Sequence, residues 1–386
     1  MSPLRRAGLY TAMVITAFGA GLTSLPARAD EAALQQRIDA LESRLAQLEK
    51  ELADSKKASA TPPAPAATAS ALAVKNGSKL TVSGFAETRM TNIANPIGDH
   101  IKGTDVDFQV TRFRPRFIYT MDPHFQAQVQ LNASTRSAAA ASVNARDVFL
   151  EYGNPGLDLK MGQTKIPFGY QVFREGDEFR AGLERARVMG VLFPDERDIG
   201  LVASTTSKNA AAPIFAAGVM NGDGINHTDP NHGKAIAANA LYPINKNAVI
   251  GGSVYFGSTS VALAAPATGT RDLDKHAYGL ENRLTFGRFS TQAEYVWGRL
   301  AGHNLNGGYG QLQYNLGKTG NVYVRHDVFD PDDKAVHDYW HNTSLGWYRD
   351  FTKQFRLTAE YNLVRNEAST LASGNNTFGI EAQANF

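Results

Sequence analysis

Phe289-Ser290-Thr291-Gln292-Ala293-Glu294-Tyr295-Val296-Trp297 decides the fold. In an extended chain successive side chains point to opposite faces, so Phe289, Thr291, Ala293, Tyr295 and Trp297 share one side and Ser290, Gln292 and Glu294 the other. The stretch 124–136 repeats the pattern. Phe125, Ala127, Val129, Leu131 and Ala133 oppose Gln126, Gln128, Gln130, Asn132 and Ser134. A soluble sandwich also alternates, but it packs its apolar faces inside. Many strands with polar second faces would leave a soluble barrel nothing to fill its core, so the polar faces are expected to meet water and the apolar faces lipid.

Working outward, no sustained 3.6-residue period appears after Lys79. Segments of about ten residues recur instead, separated by turn residues. They fall at 79–90, 106–120, 124–136, 144–153, 157–164, 197–206, 213–221, 234–243, 248–257, 275–287, 289–300, 308–316, 320–329, 339–350, 354–365 and 376–386. This predicts an all-β, transmembrane antiparallel barrel of about 16 strands, and an even count puts both ends of the barrel on one side. Asp122-Pro123, Asn154-Pro155-Gly156, Gly287-Arg288 and Lys318-Thr319-Gly320 read as tight turns, while 91–105, 165–196, 222–233, 258–274, 301–307 and 366–375 read as long connections. The last segment places Phe378, Ile380, Ala382, Ala384 and Phe386 on one face and stops on an aromatic carboxyl terminus. That ending resembles the signal read by outer-membrane insertion machinery, an expected partner through Phe386.

Composition agrees: 20 Phe, 14 Tyr, 3 Trp and 35 Gly suit short strands and tight turns, and cysteine is absent. Beyond residue 29 no apolar run of 18 residues exists, so a membrane-embedded chain has to cross as a barrel, which closes every backbone hydrogen bond. Residues 1–29 read as a signal peptide, with Arg5 and Arg6, an apolar stretch from Ala7 to Leu22, and Ala27-Arg28-Ala29 as cleavage site. The alternative is a membrane anchor, for which the run is short. Removal takes away Arg5, Arg6 and Arg28 and turns a formal charge of +2 into −1.

Between 30 and 53, Leu34, Ile38, Leu41, Leu45, Leu48 and Leu52 step by four and three residues. That is the seam of a short α-helical coiled coil, with Arg37, Glu42, Arg44 and Glu49 flanking it. The repeat resembles short trimeric coils and predicts a homotrimer; a lone amphipathic helix is the other reading, since under three heptads is little for an autonomous coil. Residues 54–75 form an Ala- and Pro-rich linker, and the barrel domain spans 76–386.

The pleat also sorts charge. Arg112, Arg114 and Arg116 recur at every second position, opposite Phe113 and Phe117. Arginine facing lipid costs about 2–4 kcal/mol at mid-bilayer, so the column is expected to face the lumen. Arg136 and Lys160 occupy neighbouring inward positions, with Arg283 and Arg325 on the far wall. Such guanidinium forks could guide anions. Equally, they could pair with Glu87, Asp147, Glu151, Glu281 and Glu294, which face inward by the same count. Connection 165–196 is far too long for a turn. It holds Arg174, Arg180, Arg185 and Arg187 beside Glu175, Asp177, Glu178 and Glu184, and is expected to fold into the lumen rather than cap it.

Asp147-Val148-Phe149-Leu150-Glu151-Tyr152-Gly153 and Lys160-Met161-Gly162-Gln163-Thr164-Lys165-Ile166-Pro167-Phe168-Gly169 resemble a strand pair of the phosphate-selective porins O and P. Arg112–Arg116, Leu183-Glu184-Arg185, Asp198-Ile199-Gly200 and Asn221–Asn226 are similar to further motifs of that family. The resemblance covers about 105–226. It implies an outer-membrane porin of a Gram-negative cell, its N-terminal coil in the periplasm, forming a trimer of sixteen-stranded barrels. It also implies a third loop folded inward, and Arg112, Arg114, Arg116, Lys165 and Arg185 guiding small anionic solutes. Together with Arg136, Lys160, Arg187 and Arg325 these are the expected pore-lining cations. Asp195, Glu196 and Asp198 depart from the family, placing acids where many members carry bases. The barrel also balances 30 Lys and Arg against 30 Asp and Glu from residue 76. A general anion-leaning channel, for phosphate or similar solutes, is therefore the expectation. A non-specific, sugar or cation-selective pore, or a non-conducting binding barrel, is the alternative.

No catalytic site, cofactor or nucleic-acid partner is expected. The nine histidines are dispersed, no nucleophile motif accompanies the pairs His227/His232 and His337/His341, and a metal on His227, His232, Asp223 and Asp229 is the minor alternative.

Overall fold

The computed structural model describes residues 72–73, 77–93, 105–136, 141–207, 209, 211–231, 233–262, 270–335, 338–366 and 376–386. The signal peptide, the heptads and all but Leu72 and Ala73 of the linker lie outside the described residues.

Sixteen antiparallel strands close one barrel: β1 (Lys79–Ile93), β2 (Asp105–Thr120), β3 (Phe125–Ser134), β4 (Ser142–Asn154), β5 (Leu157–Lys165), β6 (Arg197–Thr205), β7 (Ile214–Met220) and β8 (Ala235–Asn245) on one half, then β9 (Ala248–Ala262), β10 (Thr270–Phe286), β11 (Phe289–Leu300), β12 (His303–Asn315), β13 (Asn321–Asp330), β14 (Trp340–Asp350), β15 (Phe355–Asn366) and β16 (Thr377–Asn385) on the other. Each strand pairs with its sequence neighbours, and β16 pairs with β1 to close the ring. The seam is finished by the last residue: Gly84 N–H donates to the Phe386 carbonyl at 2.8 Å, and Phe386 N–H returns to Gly84 O at 2.9 Å. A short extension, Leu72–Ala73, adds to β1 opposite Leu80 and Lys79. No helix among the described residues is long and apolar enough to cross a bilayer; the strands do so.

The pleat sorts the faces as the alternation predicts. Leu150, Met161, Leu201, Leu280, Tyr295 and Trp297 are exposed on the outside, while Gln130, Asp147, Glu281 and Glu294 are buried on the inside. Three expectations need correction. Segment 301–307 is not a long connection. β11 and β12 extend toward each other and meet in the turn Ala301-Gly302, where Ala301 adopts φ 56° and Gly302 φ 89°. Residues 258–262 and 270–274, read as loop, continue β9 and β10 in register, from Ser258 opposite Asp274 to Ala262 opposite Thr270. The inner faces are also not uniformly polar. Val202, Tyr255, Val296, Leu305 and Phe329 point inward yet are almost fully buried, because something other than water covers them.

Candidate functional site: the lumenal loop

The cover is the connection between β5 and β6, residues 166–196, which turns into the barrel. Its base is held by Ile166 N–H donating to the Glu196 carbonyl at 2.9 Å. It carries a wide helical turn at Gly169–Arg174, a 3-10 turn at Asp177–Phe179 and the short helix α1 (Arg187–Leu192). Phe168, Val172, Val188, Met189, Leu192 and Phe193, each at most 1% exposed, pack on the inward apolar positions of the wall, including Val202, Met220, Tyr255, Val296, Leu305 and Phe329. Phe168 and Phe193 meet at 4.8 Å between ring centroids, and Phe193 meets Tyr255 at 5.2 Å. Each large side chain so buried contributes about 1.5–3 kcal/mol toward holding the loop inside.

The motif from Lys160 to Gly169 acquires a physical role here. Gly162 has φ 130°, and a Cβ on it would lie 2.3 Å from the Val148 carbonyl, so no side chain fits. Gln163 donates to the carbonyls of Ala145 and Arg146 at 3.0 and 2.9 Å and accepts from Asn226 N–H at 2.7 Å. It thereby satisfies the irregularity in β4 where the register with β3 shifts between Gln130 and Leu131. Gly169, with φ 64°, lies against Glu294, whose carboxylate accepts from Tyr170 N–H (2.7 Å), Gln171 N–H (2.9 Å) and the Tyr309 hydroxyl (2.7 Å).

Opposite the apolar anchor, three carboxylates of the loop, Asp177, Glu184 and Glu196, gather the arginines of the wall. Asp177 accepts from Arg114 on β2, from Arg146 on β4 (3.2 Å), and from Arg180 (2.7 Å) and Arg185 within the loop. Beside it Glu196, at φ 63°, meets Arg146 (2.8 Å), Arg185 (2.5 Å) and Arg197 (2.9 Å), and Arg197 continues to Asp147 (2.9 Å). Glu184 meets Arg89 (2.6 Å), Arg112 (3.3 Å) and Arg136 (2.9 Å), while Glu87 and Glu381 take the other edges of Arg112 (2.5 Å) and Arg89 (2.8 Å). On the far side Arg325 pairs with Asp327 (3.1 Å) and donates to the Glu184 carbonyl (2.7 Å). Burial pushes the Glu184 and Glu196 carboxyls up. The surrounding arginines, Arg112 foremost for Glu184 and Arg185 for Glu196, more than reverse this and hold both well below the usual carboxylate range. Burial lowers the Arg185 guanidinium to about 10, with Glu196 opposing and Arg180 reinforcing the shift.

The structure thus places Arg112, Arg114, Arg116, Arg136, Arg185 and Arg325 in carboxylate pairs; Arg116 reaches Glu178 at 3.4 Å. Lys160 lies 3.8 Å from Glu151 and over Phe149 at 5.0 Å. Arg187 is exposed, 5.7 Å from the Trp340 ring. Lys165 reaches only a backbone oxygen, that of Glu175, at 2.6 Å. Arg174 rests over Phe173 (4.3 Å) and Arg283 over Tyr170 (4.5 Å); among the described residues neither has an ion-pair partner. These three cations border what the loop leaves open. A cavity of about 640 Å³ is lined by Arg116, Lys160, Lys165, Arg174, Asp158 and Glu178 among others, and a second of about 370 Å³ by Tyr170, Arg174, Phe179, Arg283 and Gln311 among others. Both lie on the side of the short turns and share Arg174.

Sequence reasoning missed Arg89, Arg146 and Arg197 as lumenal groups. Strict alternation gives Arg146 and Asp147 opposite faces; the register shift in β4 brings both inward. Of the minor metal candidates, Asp229 pairs with Lys234, Asp223 accepts from Ser260 N–H at 2.7 Å, and His232 lies outside the described residues.

A closed barrel with a lipid-ready exterior and a charged lumen narrowed by an infolded loop defines a channel-forming membrane protein. The chain belongs to the Gram-negative porin family, whose model matches residues 58–369. That family places it in the outer membrane and points to a channel rather than an enzyme. The match is to the Gram-negative porin family and not to the phosphate-selective group that the motifs of 105–226 resemble. No curated protein matches in a sequence search. Among solved structures the chain is similar to an anion-selective porin from Comamonas acidovorans (15% identity, TM-score 0.54, covering 80% of this chain and all of that one). It is also similar to the outer-membrane channel DcaP of Acinetobacter baumannii (12%, 0.58, 82% and 99%). A third match is the trimer form of the Vibrio cholerae outer-membrane protein OmpT (11%, 0.59, 81% and 100%). At these identities the likeness concerns the fold.

Proposed function

We propose that the protein is a homotrimeric porin through which small hydrophilic solutes diffuse passively, with a preference for anions, phosphate among them. The observation that carries this reading is the set Lys165, Arg174 and Arg283, basic side chains at open lumenal cavities with no carboxylate within ion-pair distance among the described residues. An uncompensated cation raises the local concentration of anions where walls of low dielectric focus its field. Arg112, Arg114 and Arg116 still contribute positive charge, but their carboxylates offset it, and we assign them mainly to holding the loop. The acids of the far wall support no cation preference. Glu294 and Glu360 are buried and spend their oxygens on loop N–H groups, Tyr309 and Tyr323, and Glu281 is buried with one oxygen on Asn239. The even charge balance of the barrel favours a general anion lean over strict phosphate specificity. The heptads of 30–53 supply a means of trimerisation in the periplasm. Replacing Lys165, Arg174 and Arg283 together by Gln tests the assignment. The chloride-to-potassium permeability ratio in planar bilayers is expected to fall toward that of a neutral pore; an unchanged ratio overturns it.

A further inference from the structure

Arg174 and Arg283 are unlike the lumenal arginines around them. Arg89, Arg112, Arg114, Arg116, Arg146, Arg180, Arg185, Arg197 and Arg325 each meet a carboxylate. Arg174 and Arg283 instead lie over aromatic rings, at 4.3 and 4.5 Å; Arg174 gives its Nε and Nη2 to the Asn239 side-chain oxygen at 3.3 Å, which leaves its Nη1 for a further acceptor. Stacking leaves the N–H edges of a guanidinium free to bind a planar acceptor in its own plane, while the ring beside it continues an apolar surface. Both arginines line the 370 Å³ cavity, and so does Phe179, an aromatic ring 72% exposed at the loop's 3-10 turn. A large apolar side chain presented to a water-filled space, with a polar wall of Gln292, Gln311 and Gln313 around it, leaves apolar area that a ligand could cover. Glu175 borders the same cavity, so two cations face one acid. That balance suits a monoanion better than a phosphate dianion, for which the larger cavity with Lys160 and Lys165 is the more basic.

We propose that this cavity is a binding site for aromatic monocarboxylates of about the size of benzoate: the carboxylate on the guanidinium edge of Arg283 and the remaining Nη1 of Arg174, the ring against Phe179 and Tyr170. This rests on the channel reading above and names a solute class for one part of the same lumen. The test uses the full-length trimer in planar bilayers, with sodium benzoate, sodium acetate and benzyl alcohol added in turn from the side of the short turns. Current is scaled to each variant's own open-channel value. Benzoate is expected to reduce the KCl current saturably at a concentration at least tenfold below that of acetate, and benzyl alcohol to have little effect. Arg283→Gln and Phe179→Ala, which remove the charge and the ring separately, should each weaken benzoate block about tenfold or more. Equal block by acetate and benzoate overturns the proposal, as does block that both variants leave untouched. The reversal potential in a KCl gradient, measured in the same membranes, separates the two claims. An anion-preferring channel without benzoate preference loses only the site. Benzoate block of a channel without anion preference keeps the site and removes the lean.

Discussion

Asp177→Asn is the substitution that reports most about how the lumen is built. The carboxylate is 3% exposed and serves two arginines of the wall and two of the loop. The change keeps volume and one acceptor oxygen, so packing survives while a buried countercharge is lost. Breaking a buried pair by removing one partner costs about 3–5 kcal/mol. The cavity beside Asp177 admits water, and Glu196 still holds Arg146 and Arg185, so the low end, about 3 kcal/mol, applies. At 1.36 kcal/mol per tenfold, the population with the loop released from the wall should rise roughly a hundredfold. The chain has no cysteine, so Leu183→Cys, at a site 3% exposed within the loop, introduces a single thiol. Its reaction with a water-soluble thiol reagent follows the released population when reclosing is fast. The rate with Asp177→Asn should exceed that of Leu183→Cys alone by about two orders of magnitude. A change of less than about threefold would refute the view that Asp177 fastens the loop.

Three further outcomes follow from the same geometry. Glu184 and Glu196 have folded values depressed below the ordinary carboxylate range, so their stabilisation is complete above that range and is lost as pH falls through it toward the depressed values. Leu183→Cys labelling, divided at each pH by the rate of a fully exposed thiol to remove the loss of thiolate, should therefore stay level from neutral pH to about 5 and climb only below about 4; a rise near pH 6 would point to another group. Phe168→Ala, at a fully buried position of the loop anchor, should lower stability by about 3–5 kcal/mol, read as a fall in the temperature at which the barrel unfolds on a heat-modifiability gel. Leu280→Arg, on the outer face of β10, should cost about 2–4 kcal/mol in lipid if the site lies at mid-bilayer. A smaller cost in refolding titrations would place Leu280 nearer the interface.

How much of this was legible in the sequence depends on the range of the interaction. Strands announce themselves locally: Phe289 to Leu300 alternates cleanly, and the observed β11 spans those same residues. Gly287-Arg288 likewise marked its turn. Ala301-Gly302 did not, because His303–Gly307 reads as polar loop and pairs only through β11 and β13. The inward direction of Arg112 and Arg114 was legible from lipid cost alone. Glu87, an inward acid of the adjacent strand, was legible as a partner for Arg112, but the loop partners were not, since Glu184 and Asp177 lie more than 60 residues away and come within reach only because the loop turns inward. Arg146 was hidden for another reason: one register shift inverts the parity on which the whole assignment rests. The inward Val202, Val296 and Phe329 interrupt the polar lumen and are the seat of the loop.

The central claim, a water-filled channel whose uncompensated lumenal cations favour anions, is tested most directly by the reversal potential of the purified protein in a planar bilayer under a KCl gradient. The account predicts stepwise conductance and a potential whose sign marks chloride as the more permeant ion. A potential of the opposite sign, or a barrel that inserts and passes no current, would contradict it.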